Sequence, residues 1–186
     1  IISHFKWQLQ PTEYAMKEHI FNIHDVVLLM TTAECILLAI FQAVLPAKNK
    51  ASSILLTAFL LSVAVSAICV LMLWNNNVRF FTMFDATLLP YFLTTALLLK
   101  GPALYLYVRA ITQQAFVLDA SKLGHLVSIV VGIIWLFVFN IDTRALIWFR
   151  DPSTSAFDKF TVECLWAATK IIPLAYVIAA VFKVHK

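Results

Sequence analysis

The chain has 186 residues, 62% of them hydrophobic and 13% charged, with 14 Lys and Arg against 10 Asp and Glu, a formal net charge of +4 and only 3 cysteines. Soluble domains average about 45–50% apolar and about 25% charged residues, and disorder needs low hydrophobicity with high net charge. Disorder and a cysteine-stapled secreted module are therefore excluded, the composition runs against a soluble single-core domain, and the class that remains is a polytopic membrane protein.

Crossing a hydrocarbon core of about 30 Å takes about 20 apolar residues at about 1.5 Å per residue. Residues 1–25 read as an extracytoplasmic segment, and residues 26–186 as an all-α transmembrane bundle of about five spans. The first span covers 26–45 and stops at Pro46. Its flank Asn22-Ile23-His24-Asp25 is not basic and no small-residue cleavage site follows, so it does not read as a cleaved signal peptide. Met16-Lys17-Glu18 leads directly into the membrane region, and Met16 is read as an alternative start. The second span covers 53–74, and the third covers 86–109 and contains Pro90, Gly101 and Pro102. The fourth covers 124–141 and the fifth 162–182. Helices are required, because a lone strand in lipid leaves backbone groups unpaired and none of these runs alternates as barrel strands do.

Orientation follows from the basic residues near the span ends. With the N-terminus outside, the inner side holds Lys48, Lys50, Arg109, Lys122, Lys183 and Lys186 against Asp119 alone. The outer side holds Lys6, Lys17, Arg79, Arg144, Arg150 and Lys159 against eight acids. The inner six sit in shorter loops and are denser, which predicts N-outside, C-inside.

Small residues four apart let helices approach in lipid, where burial alone drives nothing. Ala58, Ser62 and Ser66, then Gly124, Ser128 and Gly132, then Ala175 and Ala179 form such stripes. They suit either packing within one bundle or a dimer face. Trp74, Trp148 and Trp166 fall at the outer interface and Tyr105 and Tyr107 at the inner one, the depth amphipathic rings prefer. Ile147-Trp148-Phe149 forms a patch suited to the membrane surface. Pro90 and Pro173 lie inside spans, where each frees a carbonyl and bends the helix.

A charge at bilayer depth costs about 2.5–3.5 kcal/mol on insertion scales, and Glu34, Lys100 and Lys170 are the three to explain. Glu34 and Lys170 each lie eight residues into their spans, roughly 12 Å deep. They are expected to pair, either to fasten the bundle or to line a polar cavity that senses a signal. Lys100 sits nearer the inner end, from which its ammonium can snorkel.

Cys35, Cys69 and Cys164 all fall in spans without a partner at short spacing, and His4, His19, His24 and Asp25 cluster only loosely. Neither set has metal-ligand spacing. His125 opens the fourth span, where a capping or headgroup contact suffices. No zinc-hydrolase, nucleophile-elbow or P-loop pattern occurs. No enzyme, cofactor or metal centre is expected.

The third span ends Lys100-Gly101-Pro102-Ala103-Leu104-Tyr105-Leu106-Tyr107-Val108-Arg109. This resembles the Gly-Pro-x-Leu-Tyr-x-Tyr-Val signature in the N-terminal membrane region of bacterial membrane-anchored AraC-type transcription regulators. Phe21-Asn22-Ile23-His24-Asp25 is similar to that family's start, and Lys48-Asn49-Lys50-Ala51-Ser52 to its first inner loop. The family pattern has an apolar residue before the Gly-Pro where this chain has Lys100. The resemblance covers most of residues 16–186. It implies a sensor and anchor in the bacterial inner membrane, possessing Gly101, Pro102, Tyr105, Tyr107 and Arg109 as its motif. It also implies further helices and a cytoplasmic domain with two helix-turn-helix motifs after Lys186. The implied partners are the bilayer, a second copy, an unknown small ligand or membrane protein, and DNA only through that later domain. Two other readings compete: a multi-helix input module of a sensor kinase, and a small transporter or membrane-complex subunit.

Overall fold

The computed structural model describes residues 21–45, 49–75, 78, 87–113, 116, 119–148 and 154–184. Among these residues every regular element is helical: α1 (Ile23–Val44), α2 (Lys50–Trp74), α3 (Leu89–Thr112), a 3₁₀ segment (Ala120–Leu126) leading into α4 (Val127–Val138), α5 (Thr143–Trp148) and α6 (Ala156–Val184). Four of them, α1, α2, α3 and α6, are long and apolar enough to cross a membrane. The expected fourth span is shorter than required. α4 has 12 residues, which rise about 18 Å, and a tight 3₁₀ lead-in replaces its first turns.

Capping chemistry sets the first boundary. Asn22 Oδ1 accepts from the Ile23 N–H at 2.7 Å, and the Asn22 N–H donates to Asp25 Oδ2 at 3.0 Å, closing a capping box. The helix therefore starts three residues before the apolar run does. Asn49 caps α2 in the same way, accepting from the Ala51 N–H at 3.0 Å. Pro90 lies in the first turn of α3, where a missing N–H costs nothing, so it initiates the helix and does not bend it. Pro102 and Pro173 lie inside α3 and α6. α4 ends at Asn140, whose φ of 46° is left-handed, while the Ile141 N–H reaches back to the Leu136 carbonyl at 3.1 Å. That reversal feeds α5, whose first turn is held by the Ala145 N–H donating to Asp142 Oδ1 at 2.7 Å.

The helices form a row, α1 on α2, α2 on α3 and α3 on α6, with α4 against α3. α1 and α2 are antiparallel: Asn75 Nδ2 donates to Asp25 Oδ2 at 2.8 Å at one end, and Ser53 Oγ donates to the Gln42 carbonyl at 2.8 Å at the other. Asn49 Nδ2 donates to the Ala110 carbonyl at 3.3 Å, which sets α3 antiparallel to α2. α3 and α6 run parallel, because Gly101 lies on Pro173 and Tyr105 lies beside Tyr176. α4 runs back between them, with His125 at the Tyr176 end and Trp135 Nε1 donating to the Thr161 carbonyl at 3.1 Å at the other.

The main core gathers Cys69, Met72 and Leu73 of α2, Leu89 and Leu93 of α3, Leu136 of α4, Ile141, Leu146 of α5, and Val162 and Leu165 of α6. Of the patch expected on the membrane surface, Ile147 packs partly buried against this core, beside buried Leu146. Phe149 and the Trp148 side chain lie outside what is described. Ser62 and Ser66 are buried and donate to the Phe59 and Val63 carbonyls at 2.7 and 2.8 Å, so neither hydroxyl is unpaired in lipid. Gly132 is the working member of its stripe: a Cβ there would stand 2.6 Å from Leu98 Cδ1 and 3.2 Å from Thr94 Cγ2. Gly124 has nothing within 4 Å. Ala175 and Ala179 are exposed, and α6 packs through Thr161, Val162, Leu165 and Thr169 instead. Of the expected interfacial rings, Trp74 is exposed at the end of α2, while Trp166 packs half-buried against the main core.

Candidate functional site

Gly101, Tyr105 and Arg109 recur every fourth residue and so share one face of α3. At Gly101 α3 lies close against α6. A Cβ added there would meet the Pro173 Cα at 2.8 Å and the Tyr176 Cδ2 at 3.0 Å. Only a residue without a side chain admits this contact, which gives the Gly-Pro of the motif a packing role. One turn further on, Tyr105, His125 and Tyr176 meet as a three-ring cluster. The Tyr105–His125 centroids are 5.3 Å apart with an interplanar angle of 67°, and those of His125–Tyr176 are 5.6 Å apart at 78°. Tyr105 and Tyr176 stand 5.8 Å apart. Edge-to-face rings of this kind contribute about 0.5–1.5 kcal/mol beyond their buried area.

The Tyr176 hydroxyl lies 3.2 Å from His125 Nδ1 and 3.4 Å from the His125 carbonyl. A neutral ring protonated on Nδ1 satisfies both: Nδ1–H donates to the hydroxyl and the hydroxyl donates to the carbonyl. The pair fastens the start of α4 to α6 and α3.

Arg109 sits above this cluster with Cζ 5.8 Å from the Tyr105 ring centroid, a cation–π arrangement. Its Nε is buried and has no hydrogen-bond partner among the described residues. Lys122 Nζ stands 4.0 Å over the Phe116 ring. Phe116 joins Leu55, Leu106 and Ala110 in a second small core against which Tyr105 and Tyr107 pack. Two basic groups are thus braced on aromatic faces at one end of the bundle, the end that also carries Lys50 and Lys183.

The three intramembrane charges do not converge. Lys100 is half-buried on α3. Glu34 is exposed on α1, and Lys170 is exposed on α6. The expected Glu34–Lys170 pair is absent, because α1 packs on α2 and α6 packs on α3, at opposite ends of the row.

No protein-family model matches the chain, and no curated protein or solved structure shows a detectable relationship to it. The site therefore stands on its geometry.

Sequence reading did not find the Asp25–Asn75 bond or the His125–Tyr176 pair. The first has a local signal, since Asp25 stands three residues after Asn22, the spacing of a capping box. The second joins residues 51 apart, and nothing local marks it. His4, His19 and Met16 lie outside the described residues, as do Lys6, Lys17, Lys48, Arg79, Arg150 and Lys186.

Proposed function

We propose that this chain is the membrane-embedded sensor and anchor region of a one-component bacterial transcription regulator of AraC type. It would pass a membrane or periplasmic signal to a cytoplasmic DNA-binding domain. The observation that carries the reading is the seat of the Gly-Pro-x-Leu-Tyr-x-Tyr-Val motif. Its glycine is the contact point of α3 with α6, and its first tyrosine belongs to the ring cluster that locks α4 to both. A residue run that resembles a family signature thus coincides with the joint through which α6 is held.

The mechanism is a population shift. Two arrangements of α6 about the Gly101–Pro173 contact differ in the direction in which α6 leaves the bundle. A ligand, lipid or membrane state that binds one arrangement better would bias the juxtaposition of whatever follows α6.

The reading places α1 to α6 in the bacterial inner membrane with five crossings, N-outside and C-inside. Two observations support it. α3 and α6 run parallel, and the 3₁₀ lead-in with α4 runs back between them, as a fifth crossing would require. Among the described residues, Lys50, Arg109, Lys122 and Lys183 gather at one end against Asp119. Asp25, Asp142, Asp158 and Glu163 gather at the other with Arg144 and Lys159. The basic end belongs in the cytoplasm.

The deciding experiment is to read the coding region past Lys186 and to test its product on DNA. Tandem helix-turn-helix patterns, with promoter activity altered by Gly101→Leu, are the expected outcome. A helical dimerisation segment with a phosphoacceptor histidine would instead make the chain a sensor-kinase input module. A stop codon would leave a transporter or membrane-complex subunit.

A further inference from the structure

Glu34 and Lys170 are opposite charges left on the two outer edges of one helix row. Both side chains are exposed, and neither has a hydrogen bond or ion pair among the described residues. Facing lipid, each would cost about 2.5–3.5 kcal/mol on insertion scales. Lys100 makes no ion pair with Glu34 among the described residues.

The two charges also share a depth. Asp25 is level with Asn75 and Gln42 with Ser53, which brings Glu34 level with about Val63 on α2. Ser62 and Val65 line one groove with Thr95 and Ala96 between α2 and α3. Gly101 is level with Pro173 and Tyr105 with Tyr176. Carried along these registers, Glu34 comes to the level of Lys170 within about one helical turn.

We propose that this chain associates with a second copy of itself in the membrane, the outer face of α1 docking on the outer face of α6 so that Glu34 of one copy pairs with Lys170 of the other. Because the two charges stand on opposite edges of the row, the contact is head-to-tail, the Glu34 edge of one copy meeting the Lys170 edge of the next. Val27, Met30 and Leu37 on α1, and Leu174 and Val181 on α6, are exposed around the two charges and supply the apolar surround. This inference rests on the charges and the helix order, and holds whatever the chain regulates.

The test uses the full chain in uncharged phosphatidylcholine vesicles. In the first arm, copies fused to donor or acceptor fluorescent proteins report association by energy transfer. Glu34→Lys and Lys170→Glu are each expected to weaken it about three- to tenfold, the range of polar contacts within membranes. The double reversal is expected to restore it. In the second arm, Cys35, Cys69 and Cys164 are replaced by alanine, and differently tagged Glu34→Cys and Lys170→Cys chains are reconstituted together. Oxidation is expected to give a doubly tagged, cross-linked dimer. Energy transfer unchanged by both single reversals overturns the proposal. So does rescue of Glu34→Lys by Lys100→Glu in place of Lys170→Glu, and so does a cross-link that forms only within one chain carrying both cysteines.

Discussion

Asp25 and Asn75 meet through a buried hydrogen bond of 2.8 Å that joins the first turn of α1 to the end of α2. The same carboxylate oxygen accepts the Asn22 N–H of the capping box. One side chain thus starts a helix and fastens it to its neighbour. Asp25→Ala removes the one acceptor of both bonds. It is expected to cost about 1–3 kcal/mol, read as a lower unfolding midpoint in detergent. Asn75→Ala leaves the cap intact, and its loss is expected to be smaller.

The three glycines should rank by what a new methyl would meet. Gly101→Ala drives a Cβ to 2.8 Å from the Pro173 backbone, and overpacking of that kind costs about 1–3 kcal/mol. Gly132→Ala meets a side-chain tip, Leu98 Cδ1, where Gly101→Ala meets backbone, so its loss is expected to be smaller. Gly124→Ala meets nothing and is expected to be neutral. A melting series on the three variants checks the order.

Tyr176→Phe keeps the three-ring packing and deletes the hydroxyl that His125 uses. A loss of about 0.5–1.5 kcal/mol is expected. Most of it should vanish when His125 is already alanine, and a double-mutant cycle on unfolding measures that coupling.

Leucines of equal hydropathy should behave unequally. Leu98 is 0% exposed and Leu37 is 54% exposed. Leu98→Ala opens a cavity among packed helices and is expected to cost about 2–5 kcal/mol. Leu37→Ala changes a lipid-facing surface and is expected to leave the monomer's unfolding midpoint unchanged. Both are read by the same detergent melt.

The long helices were legible in the sequence because an apolar run of some 20 residues has few fates. Their starts were less so, since Asn22 and Asn49 cap from outside the apolar run. The fourth span was misjudged in length: apolarity continues through residues 124–141, but the early part is wound as 3₁₀ and Asn140 ends the helix. The candidate site was half legible. The motif from Gly101 to Arg109 could be singled out, yet its partners Pro173, Tyr176 and His125 come from distant segments. The Glu34–Lys170 pair failed for the same reason. Depth can be counted along a chain, whereas the neighbour of each helix is decided by packing, and the stripe Ala175/Ala179 faces away while Gly101 makes the close approach.

The contact between Gly101 and Pro173 spans 72 positions of sequence. At about 5–20 residues per second of synthesis, α3 waits some seconds in the bilayer before α6 exists. During that interval the glycine notch is open to whatever helix is nearest. That seam of the bundle therefore closes late in biogenesis, and faults in assembly should concentrate there.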